Sequence, residues 1–175
     1  TLQYELSYTN ILNILNLSGI PLRSENRTAS LAERKDYPII LAGGPCAYNP
    51  EPLAPFVDCV LIGEGEEQFP AILEVIKNGK AEGKAKKEIL LDISCLQGVY
   101  IPEFYTFDYH PDGTVKDIKV KEGAPSSIRK TVIGDFSAAY FPEKAIVPYT
   151  EAVHDRVMLE VMRGCTRGCR FCQAG

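Results

Sequence analysis

Residues Tyr37 to Gly79 read "YPIILAGGPCAYNPEPLAPFVDCVLIGEGEEQFPAILEVIKNG", and the fold turns on how this stretch is parsed. "YPIILAGGP" is a short β-branched run ending in two glycines, which predicts a buried strand and a tight turn. "NPEPLAPF" predicts a short Pro-started helical segment, and "VDCVLIGEGEE" a second apolar strand that again ends in glycines. In "EEQFPAILEVIKNG", Phe69, Ile72, Leu73 and Ile76 share one helical stripe. Pro70 fits only if that helix begins near Glu67, because proline is tolerated in a first turn. Strand, turn, helix, strand, turn, helix is the rhythm of an open parallel sheet. Ligands of such sheets bind at the carboxyl ends of the strands. Here those ends carry Gly43-Gly44-Pro45 and Gly63-Glu64-Gly65-Glu66.

Upstream, Tyr8, Leu12 and Leu15 form the ridge of a first helix, with Gly19 as its C-terminal stop and Pro21 beyond. Arg23 to Asp36 is polar and reads as an exposed loop containing at most one helical turn. Downstream, Gly79 to Lys87 reads as a solvated helix or connector, and Lys84 to Glu88 as a solvated face. Alternating residues around His110-Pro-Asp-Gly113 predict a β-hairpin, and "SIRKTVIGDF" a further strand. "YFPEKAIVPYTEAVHD" reads as an extended linker, and "RVMLEVMRG" as a last apolar strand. The nearby His154, Asp155 and Arg156 are most simply linker ion-pairing groups.

The 175 residues are 45% hydrophobic and 24% charged, enough apolar material for a core without disulfide staples. No apolar run approaches a membrane span, so no membrane partner is expected. A net charge of −4 weighs against a nucleic-acid surface, although Arg163, Arg167 and Arg170 cluster near the end. Six unevenly spaced cysteines and no visible leader fit a reducing cytoplasm better than a secreted disulfide framework.

Three of those cysteines are crowded, as Cys165-x3-Cys169-x2-Cys172. A lone tetrahedral zinc wants four ligands, usually in two separated pairs, and no second pair exists. Three clustered thiolates suit a 4Fe-4S cubane with one iron free of protein ligands. Gly164 and Gly168 would let the loop curl and aim backbone N–H groups at the sulfides.

This loop, with Phe171 just before its third cysteine and an apolar strand before it, resembles the signature of the radical S-adenosylmethionine (radical SAM) enzymes. The resemblance implies that Cys165, Cys169 and Cys172 hold three irons, with S-adenosylmethionine on the fourth and Phe171 beside its adenine. One-electron reduction would then yield methionine and a 5′-deoxyadenosyl radical that abstracts substrate hydrogen. A flavodoxin or ferredoxin would supply the electron. The stretch around the glycine turns resembles the cobalamin-binding-type, Rossmann-like domain that precedes the barrel in one branch of these proteins. There Gly43, Gly44, Pro45, Gly63, Glu64 and Gly65 would shape a cobalamin-type pocket. The lower-ligand histidine motif is absent, since His110 and His154 lie in unrelated contexts, so a spacer of the same shape is favoured over cobalamin binding.

The expected organisation is a Rossmann-like open parallel sheet over residues 1–80, whose opening strands could lie upstream. A β-rich connector and linker follow over 81–155, then the first strand and cysteine loop of a partial TIM barrel over 156–175. Five further strand–helix units, on the order of 150–200 residues, would complete such a barrel. The chain alone is therefore expected to be an inactive N-terminal fragment with unassigned substrate. Two alternatives remain open. One is a methylthiotransferase whose second cluster would use Cys46, Cys59 and Cys95, residues that also read as small hydrophobes. The other is a non-catalytic zinc- or iron-binding module.

Overall fold

The computed structural model describes residues 1–27, 37–144, 149–150, 153, 156 and 159–172. The chain divides into two compact units, Thr1–Ala139 and Tyr140–Gly175. His154 and Asp155 lie outside the described residues.

The first unit is a mixed α/β fold. Helix α1 spans Tyr8–Leu17 and is preceded by a 3-10 turn at Glu5–Ser7. Strand β1 is Leu41–Gly43 and β2 is Cys59–Leu61, with Leu41 opposite Cys59 and Gly43 opposite Leu61 in parallel register. The "NPEPLAPF" segment forms only a 3-10 turn at Glu51–Leu53. Helix α2, Gln68–Ala81, takes Glu67 as its N-cap, so Pro70 falls in the first turn. A further helix, α3, follows at Lys86–Ser94, where the Glu88 carboxylate accepts from the Ala85 N–H at 2.7 Å.

Strand β3, Val99–Tyr100, then joins β2 antiparallel, giving the order β1-β2-β3. The small sheet is thus mixed rather than all-parallel. The hairpin forms as a separate two-stranded sheet, β4 (Tyr105–Tyr109) with β5 (Val115–Val120). The strand expected in "SIRKTVIGDF" is reduced to a single parallel bridge between Thr131 and Gly63.

Two apolar clusters make the core. Leu2, Ala42, Ala47, Leu53, Val57 and Val60 anchor one, with Tyr8 and Ile11 of α1 packed against it. Leu61, Ile72, Leu90, Ile93, Ile101 and Phe104 anchor the other. Helix α3 buries Ile89, Leu90 and Ile93, so part of the region read as solvated connector leads directly into a core helix.

One buried charge cluster went unread in the sequence. Arg27, expected on an exposed loop, is buried, with its guanidinium donating to Pro21 O (2.7 Å), Leu22 O (2.8 Å) and Phe56 O (2.9 Å). Its Nη2 lies 3.4 Å from Asp58 Oδ2, which also accepts from the Ile40 N–H at 2.7 Å. Lys86 Nζ closes on Asp58 Oδ1 at 2.9 Å, so this lysine is no solvated-face residue. A buried carboxylate is tolerated because each oxygen is met by a cation or a donor.

In the second unit, positions 159–163, expected to end an apolar strand, carry no ladder pairing, and Leu159, Val161 and Met162 are exposed. A strand exists only through its partners, and none adjoins these positions among the described residues. Positions 157 and 158 of the same stretch are outside the described residues.

Candidate metal centre and glycine turns

Cys165, Cys169 and Cys172 all stand exposed on one short loop, none of them in a disulfide. Gly164 and Gly168 both take positive φ, 80° and 64°, and bend the backbone on either side of Cys165. The Cys172 N–H donates to Cys169 O at 3.1 Å, closing the Cys-x2-Cys step into a turn. Just before the loop, Arg163 grips Glu160 in a two-point ion pair, Nε to Oε1 at 2.8 Å and Nη2 to Oε2 at 3.0 Å. Phe171 is 92% exposed.

Among the described residues no three Cys, His, Asp or Glu side chains are already gathered around a common point. The donor chemistry nevertheless fits an iron–sulfur group. Three exposed thiols lie within eight residues, on a backbone turned by two positive-φ glycines.

The other cysteines are held differently. Cys59 is fully buried, and burial, aided by neighbouring Asp58, pushes its thiol up to about 12. Cys46 is buried in the first core cluster, and burial again raises its thiol above the ordinary value. Cys95 is exposed at the end of α3, its Sγ 3.6 Å from Leu91 O. Cys46 and Cys59 belong to separate clusters, and no metal-ligating trio forms from these residues.

The glycine turns are where the structure adds most. Gly44 has φ 116°, and a Cβ there would fall 2.8 Å from Leu2 O. Leu2 is buried, its N–H donating to Gly43 O (2.6 Å) and its carbonyl accepting from the Cys46 N–H (3.0 Å). Gly63 has φ 107°, and a Cβ there would come closer than 3.0 Å to the Thr131 backbone. Thr131 N–H donates to Ile62 O (3.0 Å), the Glu64 N–H donates to Thr131 O (3.1 Å), and Thr131 Oγ1 donates to Glu64 O (2.6 Å). The Glu64 carboxylate in turn accepts from the Ile133 N–H. Both turns need glycine because backbone approaches closely, but the backbone is the chain's own. Leu2 and Thr131 were the residues that sequence reading missed. Neither carries a motif, and their role is visible only once long-range hydrogen bonds are drawn.

Beside the second turn lies a cavity of about 60 Å³, walled by Glu64, Glu66, Glu67, Gln68, Gln97 and Thr131. Small-molecule sites run to roughly 300–1,000 Å³, so this hollow is far below cofactor size. The two expected sites also fall in different units, the glycine turns in Thr1–Ala139 and the cysteines in Tyr140–Gly175.

No helix among the described residues is long and apolar enough to cross a membrane. Compared with known proteins, the chain is 29% identical over 175 residues to an uncharacterized protein of Methanocaldococcus jannaschii. That alignment takes in 99% of this chain, which spans only 29% of the length of the relative. No solved structure matches. Residues 1–102 match the family model described as radical SAM proteins, N-terminal. Since that match takes in more than half of the sequence, the chain belongs to the radical SAM proteins, in their N-terminal family.

Proposed function

We propose that this chain is the N-terminal portion of a larger radical SAM enzyme, carrying the thiol loop on which its iron–sulfur centre is held. The observation that carries the reading is the exposed loop itself, with three closely spaced cysteines, two positive-φ glycines and an N-terminal family match upstream. Cys165, Cys169 and Cys172 would hold a 4Fe-4S cluster, and Phe171 would lie against the adenine of S-adenosylmethionine. When bound, that pair supplies one-electron cleavage of the sulfonium and hydrogen abstraction from a substrate. The chain's own part is to present three thiolates from one side, leaving the remaining coordination position open. A one-electron donor such as flavodoxin or ferredoxin would serve it. The rest of a partial TIM barrel would come from sequence outside these residues; the chain spans only 29% of the length of its relative.

For the α/β unit we favour a Rossmann-like spacer over a cobalamin site. Leu2 and Thr131 occupy the close-approach positions at Gly44 and Gly63 that a cofactor tail would need. The methylthiotransferase reading draws no support from Cys46, Cys59 and Cys95, two of which are buried neutral thiols in separate clusters.

The test is iron, sulfide and zinc content of the anaerobically purified full-length parent, followed by 5′-deoxyadenosine formation under dithionite. About four irons and four sulfides per chain, with 5′-deoxyadenosine produced, are expected. Zinc without sulfide would leave a metal-binding module and remove the enzyme. The 175-residue chain by itself is expected to give no turnover.

A further inference from the structure

The charge of the chain changes sign at the cysteine loop. Of its 19 basic and 23 acidic side chains, three basic and no acidic ones fall in residues 161–175, which leaves a net charge of −7 on the other 160. The three are Arg163, Arg167 and Arg170. Arg163 is taken up by its two-point ion pair with Glu160. Arg167 and Arg170 are exposed, and among the described residues neither makes an ion pair.

Arg167 lies midway between Cys165 and Cys169, and Arg170 stands between Cys169 and Cys172. A residue spans at most about 3.6 Å of chain, so each arginine Cα is within roughly 7 Å of two cysteine Cα atoms. A Cβ at Gly168, beside Arg167, would meet nothing within 4 Å, and Phe171 is 92% exposed. The surface around the thiols is therefore open to a large partner. Two uncompensated cations on such a loop steer a negatively charged partner, adding more to its rate of arrival than to its hold.

We propose that Arg167 and Arg170 form the docking patch for an acidic one-electron carrier protein, a flavodoxin-type donor that delivers its electron at this loop. The proposal rests on the iron–sulfur reading above. It goes beyond that reading by naming the residues that receive the donor and the sign of the charge it presents. The reduced carrier loses one electron and the iron–sulfur group gains it, with no atom transferred. Two features choose such a carrier over a nucleic acid. The basic patch is confined to one short loop, whereas a polyanion tracks a broad basic surface. The −7 carried elsewhere on the chain also repels phosphates that run past the loop. Encounters between electron carriers are small and transient, which suits two arginines on an exposed turn.

The experiment titrates the anaerobically purified full-length parent into a fluorescently labelled flavodoxin and reads binding as anisotropy, with no turnover needed. Arg167→Gln with Arg170→Gln is expected to weaken binding roughly five- to tenfold, and Arg167→Lys with Arg170→Lys to restore most of it. Lys77→Gln with Lys80→Gln removes the same charge from exposed positions on α2 and should leave the affinity within about twofold. Raising salt from about 0.05 M to 0.5 M should weaken wild-type binding and affect the Gln pair less. Should the Gln pair fail to fold, the Lys pair and the salt dependence of the wild type carry the test. No binding by the wild type, equal affinity in the Gln pair, an equal loss in the Lys77 and Lys80 control, or indifference to salt would overturn the proposal. So would tighter binding of a single-stranded RNA oligonucleotide than of flavodoxin. Iron, sulfide and dithionite-driven 5′-deoxyadenosine, measured on the wild-type sample, keep the two readings apart. A working cluster with flavodoxin affinity indifferent to the arginines removes the docking patch and retains the enzyme. Arginine-dependent flavodoxin binding without a cluster does the reverse.

Discussion

In Thr1–Ala139 the thiols of Cys46 and Cys59 are buried among hydrophobes, and burial raises both above their usual values. In Tyr140–Gly175 the thiols of Cys165, Cys169 and Cys172 face solvent, and the apolar residues before them are exposed as well. The same side chain is thus a neutral filler in one unit and an exposed donor in the other. What separates them is the backbone around each. Around Cys46 and Cys59 it is closed by long-range hydrogen bonds, whereas around the three later cysteines it is bent by glycines with open space beside Gly168. Chemistry-bearing cysteine is recognised by its surroundings more than by its count.

The sharpest way to break this contrast is Cys169→Ala in the full-length parent. Essentially all cluster iron should be lost while the urea midpoint of the α/β unit stays unchanged; Cys59→Val should leave iron as it was. Iron loss with Cys59→Val would erase the distinction between the two sets.

Next in size is Asp58→Ala, which takes the carboxylate from buried Arg27 and from the partly buried Lys86. Removing one partner of a buried pair costs about 3–5 kcal/mol, read as a fall in the urea midpoint. A change inside error would mean that the cluster contributes nothing to stability.

Gly63→Val should cost about 3 kcal/mol, since positive φ and collision with Thr131 act together. Gly168→Val meets no neighbour within 4 Å and carries only the strain of its positive φ, so it should cost less, about 1 kcal/mol. Equal effects at the two glycines would contradict the difference drawn between the units.

Alkali provides a fourth measurement. The Cys59 thiol titrates at about 12 in the folded protein against an ordinary value of 9.0, so the unfolded chain loses its proton first. Stability from this group is intact below pH 9 and is lost as pH rises toward 12. At pH 11 the loss is roughly 2–3 kcal/mol, and Cys59→Val should flatten the decline in midpoint between about pH 8 and pH 11. Smallest of all, Lys77→Ala breaks only the exposed Glu74 pair and should not shift the midpoint detectably.

Much of the α/β rhythm is legible in the residues. Apolar runs ending in glycines became β1 and β2, Pro70 fixed the start of α2, and the turn at His110–Gly113 marked the hairpin. These are local signals, set by backbone sterics and periodicity. The antiparallel β3, the burial of Arg27 and the bracing of Gly44 and Gly63 are not local. Val99–Tyr100 is too short to show a period, and Arg27 sits in a polar stretch whose composition says exposed. For the candidate site, spacing alone brought Cys165, Cys169 and Cys172 onto one loop, because eight residues cannot carry them far apart. The glycine turns were legible as close-approach points, but the approaching partner was not, since a glycine records that something is near and never what.

Thr131 follows Ile62 by 69 residues, and their hydrogen bonds close the turn after β2. On a ribosome adding 5–20 residues per second, that turn stays open for roughly 3–14 seconds after Ile62 is made. Until then the neighbourhood of Gly63 is a half-built edge that nascent-chain chaperones could hold. The family match ends at residue 102, before Thr131 is reached. A polypeptide cut at that boundary would leave the turn permanently in its nascent condition.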